Sequence, residues 1–285
     1  MDLLNGKVLS DIVKDELKTI VTNMKKCGQT FKLVVIQVGG DSASSVYVNN
    51  KKKACEYIGI DSDVYHLSEL IDQDTLIDMI EHLNEDESVN GILVQLPLPK
   101  HLNEKEILSK INPSKDVDGF HAYNVGNLML GNNEIVACTP SGIMRILKHY
   151  GIAVAGKECV VVGRSNIVGK PMAMLLLQHD GTVTMCHSKT QNLKDVCKRA
   201  DILVCAIGKP KFFNHEYIKN DAVVIDVGIH RQDGKLCGDV NFDDVKDIVS
   251  AITPVPNGVG SMTVAMLMDN CVKAAQAQYA MIGGE

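Results

Sequence analysis

The sequence predicts an α/β protein made of two three-layer domains. Short runs of β-branched and other apolar residues alternate with amphipathic helical patterns, which is typical of parallel sheets covered by helices. In the second half, successive apolar runs stop at glycines, as strands do where a ligand lies along the carboxyl edge of a parallel sheet. With 285 residues, the chain is long enough for two domains and a sizeable core.

Composition argues against several classes of protein. A hydrophobic content of 45% indicates a globular chain, and a net charge of −6 argues against a nucleic-acid-binding surface. The nine cysteines include no C-x-x-C pair, and the nine histidines include no H-x-H or H-E-x-x-H pattern, so we expect no metal site. The cysteines instead suit small core positions in a reducing compartment. Without a signal-peptide pattern or a window of ~20 apolar residues, we expect a cytoplasmic protein that does not enter a membrane.

Periodicity places the elements of the first half. Apolar residues at steps of three and four predict an amphipathic helix over residues 11–26. Strands are predicted at Lys32–Val38, Asp61–Leu67 and 92–94, and helices at about 44–58, 74–83 and 103–111. Ser42 or Ser44 suits the N-cap of the second helix. Residues 124–133, rich in glycine and asparagine, are the best candidate for a linker between domains.

Four polar residues of the first half are candidates for chemistry. Tyr47 and Lys51 are four residues apart and share one helix face, whereas the two lysines that follow are rotated off it. For a bare lysine run, a solvated cluster is the simpler interpretation, and a lysine acts as a base only if its pKa falls far below ~10.4. Gln95 ends a buried strand, where ligands collect, although a hydrogen-bonded core amide fits equally well. Asp118 lies in a turn that it could simply cap.

The second half continues the alternation of strands and helices. Thr139 as N-cap and Pro140 in the first turn predict a helix through about residue 149. Strands are predicted at 160–162, Thr182–Cys186, 201–207, 222–227 and 252–256, followed by a closing helix over 263–280. Glycines follow three of these strands, so we expect a cofactor along the top of a parallel sheet.

The stretch from Val160 to Pro171 predicts a strand, a tight turn and a helix start. Such a turn aims free backbone N–H groups at an anion, and in an α/β sheet it holds the pyrophosphate of a dinucleotide. The match to G-x-G-x-x-G is imperfect, because Ser165 stands at the second glycine position and Gly169 comes one residue late. An ordinary βα turn is the alternative interpretation.

The next strand favours NADP over NAD. An NAD site has an acidic residue ~20 residues after the first glycine, where it binds the ribose 2′-hydroxyl. Here the strand ends in His187-Ser188-Lys189-Thr190, without an acid. Together with Arg164 in the first loop, these side chains suit a 2′-phosphate. The alternative is that they merely end the strand.

Several segments, taken together and in order, resemble one family. The segments are Tyr47-Val48-x-x-Lys51-x-Lys53-Ala54, Val94-Gln95-Leu96-Pro97-Leu98-Pro99, Lys115-Asp116-Val117-Asp118-Gly119, Cys138-Thr139-Pro140-x-Gly142-Ile143, Val162-Gly163-Arg164-Ser165-x-Ile167-Val168-Gly169-x-Pro171, Cys186-His187-Ser188-x-Thr190, Ile225-Asp226-Val227-Gly228-Ile229 and Thr253-Pro254-Val255-Pro256. With them, the chain resembles the bifunctional 5,10-methylenetetrahydrofolate dehydrogenase/5,10-methenyltetrahydrofolate cyclohydrolase family from near residue 5 to about 280.

The resemblance implies an architecture and a function. It implies a folate-binding catalytic domain of residues 1–138 plus the helix 263–285, a Rossmann-like NADP-binding domain of residues 139–262, and an active-site cleft between them. It implies a homodimer formed mainly through the cofactor domain. The implied function is oxidation of 5,10-methylenetetrahydrofolate with NADP and hydrolysis of the product to 10-formyltetrahydrofolate, in one-carbon metabolism and the purine and amino-acid biosynthesis that it supplies.

The resemblance also implies roles for individual residues. Lys51 would be the catalytic lysine, with Tyr47 and Gln95 beside it and Asp118 on the pterin ring. Pro256 and Gly258 match substrate-binding positions. The NADP-binding positions are matched by Gly163, Arg164, Ser165, Ser188 and Ile229. The chain departs from the family pattern at Asn127, Asn257 and Ser261; Asn257 can still adopt a positive φ.

The chemistry agrees with this assignment. Hydride leaves a carbon between two nitrogens, and a nitrogen lone pair drives it out, so the first step depends on positioning. The second step adds water and needs a base, for which Lys51 is the candidate. A dehydrogenase with a weak or absent second activity, and a catalytically silent folate- or nucleotide-binding protein, remain the alternatives. A generic dehydrogenase of amino or hydroxy acids is disfavoured, because no His–Asp or Lys–Asp pair is suggested in the second half.

Overall fold

The computed structural model describes residues 1–40 and 42–282. The elements from the first half of the chain are, in order, β1 (Asp2–Leu3), α1 (Gly6–Lys26), β2 (Lys32–Val38), α2 (Ser42–Ile58), β3 (Asp61–Leu67), α3 (Gln73–Glu85), β4 (Gly91–Val94), α4 (Glu104–Ser109) and α5 (Ala122–Leu130). The strands predicted at β2 and β3 have the bounds expected from the sequence. The capping expected of Ser42 or Ser44 falls on side chains outside the described part.

The second half supplies the remaining elements. They are α6 (Cys138–His149), β5 (Glu158–Val162), α7 (Gly169–Gln178), β6 (Thr182–Cys186), α8 (Leu193–Cys197), β7 (Ile202–Cys205), a 3₁₀ turn (His215–Tyr217), β8 (Val223–Asp226), β9 (His230–Gln232), β10 (Lys235–Cys237), α9 (Phe242–Val245), β11 (Ala251–Ile252) and α10 (Val259–Ile282). Helix α7 begins at Gly169, so Pro171 lies in its first turn, as predicted.

One compact unit contains residues 12–136 and 264–282; we call it the three-stranded unit. Its parallel sheet has the order β3-β2-β4, and Val35 of the central strand lies opposite Val64 and Leu93. Six of the seven residues of β2 are buried, as expected for a strand covered on both faces. Apolar residues of α3, α4 and the strands form one buried cluster that includes Leu76, Ile80 and Ile107.

The other compact unit contains Met1–Asp11 and Ala137–Thr263; we call it the six-stranded unit. Its sheet has the order β1-β11-β8-β7-β5-β6, and every neighbouring pair is parallel. This doubly wound arrangement confirms the α/β fold class with a Rossmann-like second half. The first eleven residues join this unit because β1 pairs with β11. The functional domain boundaries drawn from the sequence stay a prediction.

The expectation of a linker at residues 124–133 is wrong. Helix α5 occupies most of that segment: the His121 side chain accepts a hydrogen bond from Tyr123 N at its start, and Gly131 ends it with a φ of 88°. Asn124 and Leu128 on this helix are buried. Buried side chains therefore fix a segment whose composition alone suggested a flexible connection.

The described residues contain neither a membrane-spanning helix nor a cluster of metal-binding side chains. No helix in that part of the chain has the length and hydropathy needed to span a bilayer. Within the same residues, no group of three or more His, Cys, Asp or Glu side chains is arranged to hold a metal ion. All nine cysteines are free thiols, and seven of them are buried.

Candidate active site

Helix α2 brings Tyr47 and Lys51 to one face of the three-stranded unit. Lys51 is partly buried, whereas Lys52 and Lys53 are exposed, as the helical rotation predicts. The Tyr47 side chain keeps 40% of its surface exposed. Lys51 Nζ donates a 2.8 Å hydrogen bond to Gln95 Oε1. The structure therefore separates one lysine of the run from the solvated cluster and pairs it with the polar residue that ends β4.

Gln95 is held in one orientation by its own neighbours. Its Nε2 donates to the carbonyl oxygen of Leu96 at 2.7 Å, and its backbone N–H donates to the carbonyl oxygen of Ile36 at 2.8 Å. The side-chain oxygen is thereby left to face Lys51. The amide is hydrogen-bonded, as the alternative interpretation required, and it also lies beside the candidate catalytic lysine.

The segment Lys115–Asp118 runs beside β4, where Ile92 N donates to the Lys115 carbonyl at 2.8 Å. Lys115 is buried, and its Nζ donates to the carbonyls of Leu83 (3.0 Å) and Asp86 (2.8 Å) at the end of α3. Burial lowers the pKa of Lys115. This lysine therefore caps a helix and anchors the segment, a role that the sequence did not suggest.

Two aspartates in this segment have different surroundings. The Asp116 carboxylate is buried and accepts hydrogen bonds from His121 N (2.8 Å) and Asn124 Nδ2 (2.9 Å). Among the residues that the structure describes, none donates a hydrogen bond to the Asp118 carboxylate. Loss of hydration raises the pKa of Asp118 to about 6; the charge of Lys51 opposes this rise, and the charge of Asp116 adds to it. Asp118 is therefore the carboxylate of the pair that is available to a ligand.

Helix α10 fixes the backbone beside Asp118. Asn270 is 1% exposed, and its Nδ2 donates to the carbonyls of Val117 and Val136, both at 2.8 Å. A buried amide with two backbone partners restrains both segments that it joins. No pattern in the sequence points to Asn270, because its partners lie more than 130 positions away in the chain.

In the six-stranded unit, the loop after β5 is built on two glycines. Gly163 has a φ of 136°, and a Cβ atom there would lie 2.2 Å from the carbonyl oxygen of Ala206. A Cβ atom at Gly169 would lie 2.2 Å from the carbonyl oxygen of Gly163. Backbone segments therefore approach as closely as a dinucleotide loop requires, although the spacing of the glycines departs from the common fingerprint.

Ser165 stabilises this loop from the position of the missing glycine. Its Oγ accepts the N–H groups of Val168 (3.2 Å) and Gly169 (3.3 Å), and its carbonyl accepts Lys170 N at 3.0 Å. The hydroxyl hydrogen stays available as a donor to an anion. Arg164, next to it, is exposed. The serine thus caps the start of α7 and presents one donor at the helix N-terminus.

The end of β6 lies beside the same loop. Val162 pairs with Cys186, and Gly163 N donates to the Cys186 carbonyl at 2.9 Å. The turn that follows is fixed by His187 N, which donates to Thr190 Oγ1 at 2.9 Å, while Ser188 stays exposed. The structure therefore brings Arg164, Ser165 and Ser188 to neighbouring strand ends, as the NADP hypothesis requires.

Beyond β8, Ile229 lies next to two buried aspartates that the sequence did not single out. Ile229 is 43% exposed, and Gly228 before it donates to Asp226 Oδ1 at 3.1 Å. Burial raises the pKa of Asp226 to about 7, against the lowering effect of backbone N–H groups from Val240, Asp239 and Gly228. Asp239 is fully buried. The motif Ile225–Ile229 was noted in the sequence, but nothing near it pointed to Asp239.

The loop with Pro256 and Gly258 is anchored to the start of α1. The Val255–Pro256 peptide is cis, and Asn257 has a φ of 76°, so this asparagine does adopt the positive φ that its residue type permits. Lys7 N donates to the Asn257 carbonyl at 3.1 Å. A Cβ atom at Gly6 would lie 2.2 Å from the Gly258 carbonyl oxygen, so Gly6 permits the close approach.

Two family models match the chain along most of its length. The model described as tetrahydrofolate dehydrogenase/cyclohydrolase, catalytic domain, matches residues 4–118, and the model for the NAD(P)-binding domain of that family matches residues 137–279. The chain belongs to the tetrahydrofolate dehydrogenase/cyclohydrolase family. The catalytic-domain match includes Lys51, Gln95 and Asp118, and the NAD(P)-binding match includes the loop built on Gly163 and Gly169.

Relatives of this tetrahydrofolate dehydrogenase/cyclohydrolase align over nearly all of it. The bifunctional protein FolD of Lachnoclostridium phytofermentans is 58% identical over 275 residues, which cover 96% of this chain and 98% of that protein. The bifunctional FolD structure from Campylobacter jejuni has a TM-score of 0.96 at 49% identity and covers 97% of this chain and 99% of that one. The FolD structure from Trypanosoma brucei, complexed with NADP and an inhibitor, has a TM-score of 0.92 at 36% identity and covers 96% and 97%.

Proposed function

We propose that this enzyme oxidises 5,10-methylenetetrahydrofolate to 5,10-methenyltetrahydrofolate with NADP⁺ and then hydrolyses the methenyl compound to 10-formyltetrahydrofolate, in one-carbon metabolism. Membership of the tetrahydrofolate dehydrogenase/cyclohydrolase family supports both activities. The observation that carries the residue assignment is the Lys51–Gln95 pair, with Nζ and Oε1 2.8 Å apart and Asp118 within electrostatic reach of the lysine.

The folate would bind on the three-stranded unit. A pterin presents its 2-amino group and a ring N–H along one edge, and an ionised Asp118 can accept both. The partly exposed ring of Tyr47, one helical turn from Lys51, suits contact with the flat substrate. Pro256 and Gly258 belong to the proposal as further substrate contacts, on the strength of the family resemblance alone.

The hydride step needs little from the protein beyond positioning. The methylene carbon of the substrate lies between two nitrogens, so a nitrogen lone pair can expel hydride and leave a stabilised cation. When bound, NADP⁺ supplies the acceptor for that hydride. No side chain has to give or take a proton, so the rate of this step should be insensitive to loss of a base.

The hydrolytic step does need a base. Water adds to the cationic carbon and a C–O bond forms; the bond from that carbon to N5 then breaks, which leaves the formyl group on N10. Of the two water protons, one passes to N5 and the other must be taken by a base. Lys51 would take that proton while Gln95 Oε1 accepts one of its N–H groups and so fixes the direction of the nitrogen lone pair. Tyr47 would orient the substrate ring or the water.

The cofactor would bind on the six-stranded unit. Its pyrophosphate would accept hydrogen bonds from the N–H groups of the loop that runs from Gly163 to the start of α7, and from the Ser165 hydroxyl. The 2′-phosphate would bind to the Arg164 and Ser188 side chains. No acid follows β6 to accept a ribose 2′-hydroxyl, as an NAD site would require. Ile229 would contact the cofactor with its exposed side chain. These assignments favour NADP over NAD.

We further propose that the enzyme is a homodimer in the cytoplasm. The family resemblance supports a homodimer formed mainly through the six-stranded unit. The nine free thiols suit a reducing compartment, which supports a cytoplasmic enzyme.

The test is Lys51→Met, a substitution that keeps much of the side-chain volume and removes the base. The methenyl and NADPH signals are followed separately in a spectrophotometric assay. Hydrolysis should fall by at least ~10²-fold, the usual contribution of a general base, while NADPH formation keeps most of its rate. Methenyltetrahydrofolate should then accumulate.

The matched control is Lys52→Met, which makes the same change at the exposed neighbouring position. It should leave both rates unchanged. An equal fall of the two activities in Lys51→Met would contradict the assignment of Lys51 as a base for one step. Absence of NADPH formation by the unaltered chain with either dinucleotide would contradict the dehydrogenase itself.

A further inference from the structure

Asp239 has a complete set of hydrogen bonds in the interior of the six-stranded unit. Its Oδ2 accepts the N–H groups of Ile207 (2.7 Å) and Gly208 (3.0 Å). Its Oδ1 accepts Lys209 N at 2.9 Å and His230 Nε2 at 2.8 Å. The carboxylate is fully buried, and four donors offset the cost of that burial. One side chain thus ties together the backbone after β7 and the first residue of β9.

A β-hairpin, formed by β9 and β10, positions the Asp239 carboxylate. Strands β9 and β10 are antiparallel, with His230 opposite Cys237, and Asp239 follows two residues later. The backbone N–H of Asp239 donates to Asp226 Oδ1 at 2.8 Å, which fixes the chain at the end of β8. At Gly228, a Cβ atom would lie 2.4 Å from Asp239 Oδ1, so the strand end and the carboxylate pack without space between them.

The tied segments border the proposed cofactor site. Strands β8, β7 and β5 are neighbours in the sheet, and the loop built on Gly163 follows β5. A dinucleotide on such a sheet crosses the carboxyl ends of adjacent strands, so it would pass residues 207–209 and Ile229. Asp239 itself is too deeply buried to touch a ligand, and it can act only through these segments.

We propose that Asp239 is a positioning residue of the cofactor site, which holds residues 207–209 and the segment 228–230 in the conformation that receives the dinucleotide. His230 completes the arrangement by tying the segment that carries Ile229 to the same carboxylate. The assignment rests on the proposed NADP-dependent function. A loop fixed before binding loses less conformational entropy when the ligand arrives, so the expected benefit is in cofactor affinity.

The first variant is Asp239→Asn in the full-length enzyme. The amide keeps one acceptor oxygen, so two of the four donors lose their partner while the shape is preserved. We expect the Kd for NADP⁺, measured by calorimetry, and the KM for NADP⁺ to rise roughly tenfold or more. Hydrolysis of added methenyltetrahydrofolate at saturating concentration should keep its rate, because its proposed base, Lys51, lies in the three-stranded unit.

The matched control is Asp244→Asn. Asp244 also pairs with a histidine in the same unit, accepting from His215 N at 2.7 Å and from its ring at 2.9 Å, but it holds a 3₁₀ turn instead of strand ends. Its Kd for NADP⁺ should match that of the unaltered enzyme.

A second pair of variants serves if Asp239→Asn does not fold. His230→Ala removes one donor to Asp239, whereas His230→Gln replaces the ring Nε2 with an amide nitrogen at similar reach. Affinity for NADP⁺ should fall in the alanine variant and return towards normal in the glutamine variant. His230→Leu fills a similar volume without a donor, so it should not restore the affinity; if it restored the affinity as well as His230→Gln does, side-chain size and not the hydrogen bond to Asp239 would explain the loss.

Two outcomes overturn the assignment, and they are distinguishable. If the unaltered enzyme binds NADP⁺ and the folded variants bind it equally well, Asp239 is a stabilising residue only, and the proposed function stands. If the unaltered enzyme binds no dinucleotide, the proposed function fails, and the positioning role fails with it.

Discussion

The candidate site of the three-stranded unit is made of side chains, whereas that of the six-stranded unit is made mainly of backbone. In the former, side chains provide the site: Lys51, Gln95 and Asp118 project from three separate segments. In the latter, backbone provides it, because Gly163 and Gly169 let main-chain atoms approach where any Cβ would collide. This difference follows from the chemistry proposed for each unit. Proton transfer needs titratable side chains, whereas binding a pyrophosphate needs a cluster of N–H groups.

Two aspartates with raised pKa values, the partly buried Asp118 and the buried Asp226, differ in the same way. Burial raises the pKa of Asp118 to about 6 and that of Asp226 to about 7. Asp226 accepts three backbone N–H groups, from Gly228, Asp239 and Val240, so its oxygens are occupied by the fold. Among the described residues, Asp118 has the charge of Lys51 near it but no hydrogen-bond donor. A raised pKa alone therefore does not mark a site; the free acceptor oxygens do.

Adding one methyl group to the backbone of the six-stranded unit should have the largest effect on stability. In Gly169→Ala, the new Cβ would lie 2.2 Å from the Gly163 carbonyl oxygen, so the loop or α7 must shift. We expect a loss of about 3 kcal/mol or more in the free energy of unfolding, measured in urea, and loss of NADP⁺ binding.

The same substitution in the other unit should have the opposite sign. Gly126 also lies in a helix, α5, and a Cβ atom there would meet nothing within 4 Å. Gly126→Ala should raise stability by about 0.5–1 kcal/mol, because alanine costs less entropy in a helix. Destabilisation of similar size in both variants would contradict the idea that close backbone approach requires glycine at position 169 but not at position 126.

Asp118→Asn should change both the pH dependence of stability and that of substrate binding. Between pH ~4 and 6 the unfolded chain has lost the Asp118 proton while the folded chain retains it, so the stability of the unaltered enzyme falls as pH rises. The variant lacks this cost and should be the more stable of the two above pH 6, by at most about 3 kcal/mol. Asp226 contributes equally to both proteins, so the difference isolates Asp118.

Substrate binding should respond in the other direction. The KM of the unaltered enzyme for the folate should fall as pH rises through about 6, because only the ionised carboxylate accepts both pterin donors. In Asp118→Asn the KM should be roughly tenfold higher and insensitive to pH. For the stability measurement, the control is Asp72→Asn. Hydrogen bonds from Thr75 lower the pKa of Asp72, so its carboxylate stabilises the folded enzyme at neutral pH, and Asp72→Asn should lower the stability where Asp118→Asn raises it. If the KM for the folate did not change with pH in the unaltered enzyme or in Asp118→Asn, Asp118 would be excluded from pterin binding.

Local features of the fold and the site are the ones that the sequence predicts. The strands Lys32–Val38 and Asp61–Leu67 follow from β-branched and alternating residues, and the shared face of Tyr47 and Lys51 follows from helical geometry. The nucleotide loop was also found, because it is one continuous stretch. In each case the physical cause lies within about a dozen residues.

Features with distant partners could not be found in this way. Strand β1 has only two residues, too short for any periodicity, and it exists because β11 lies beside it. The roles of Lys115, Asn270 and Asp239 consist of hydrogen bonds to backbone groups tens or hundreds of positions away, which leave no spacing pattern in the sequence. Helix α5 was missed because its composition favours a loop and its buried side chains decide otherwise.

One substitution should change which dinucleotide the six-stranded unit prefers. Ser188→Asp places an acid at the end of β6, where it would repel a 2′-phosphate and accept a ribose hydroxyl. The ratio of kcat/KM for NADP⁺ to that for NAD⁺ should fall about tenfold or more, which corresponds to ~1.4 kcal/mol. Thr182→Asp adds the same charge at the exposed opposite end of β6 and should leave the ratio unchanged. If Ser188→Asp also left the ratio unchanged, the cofactor preference would have to come from Arg164 or from the backbone, and Ser188 would be excluded as a contact of the 2′-phosphate.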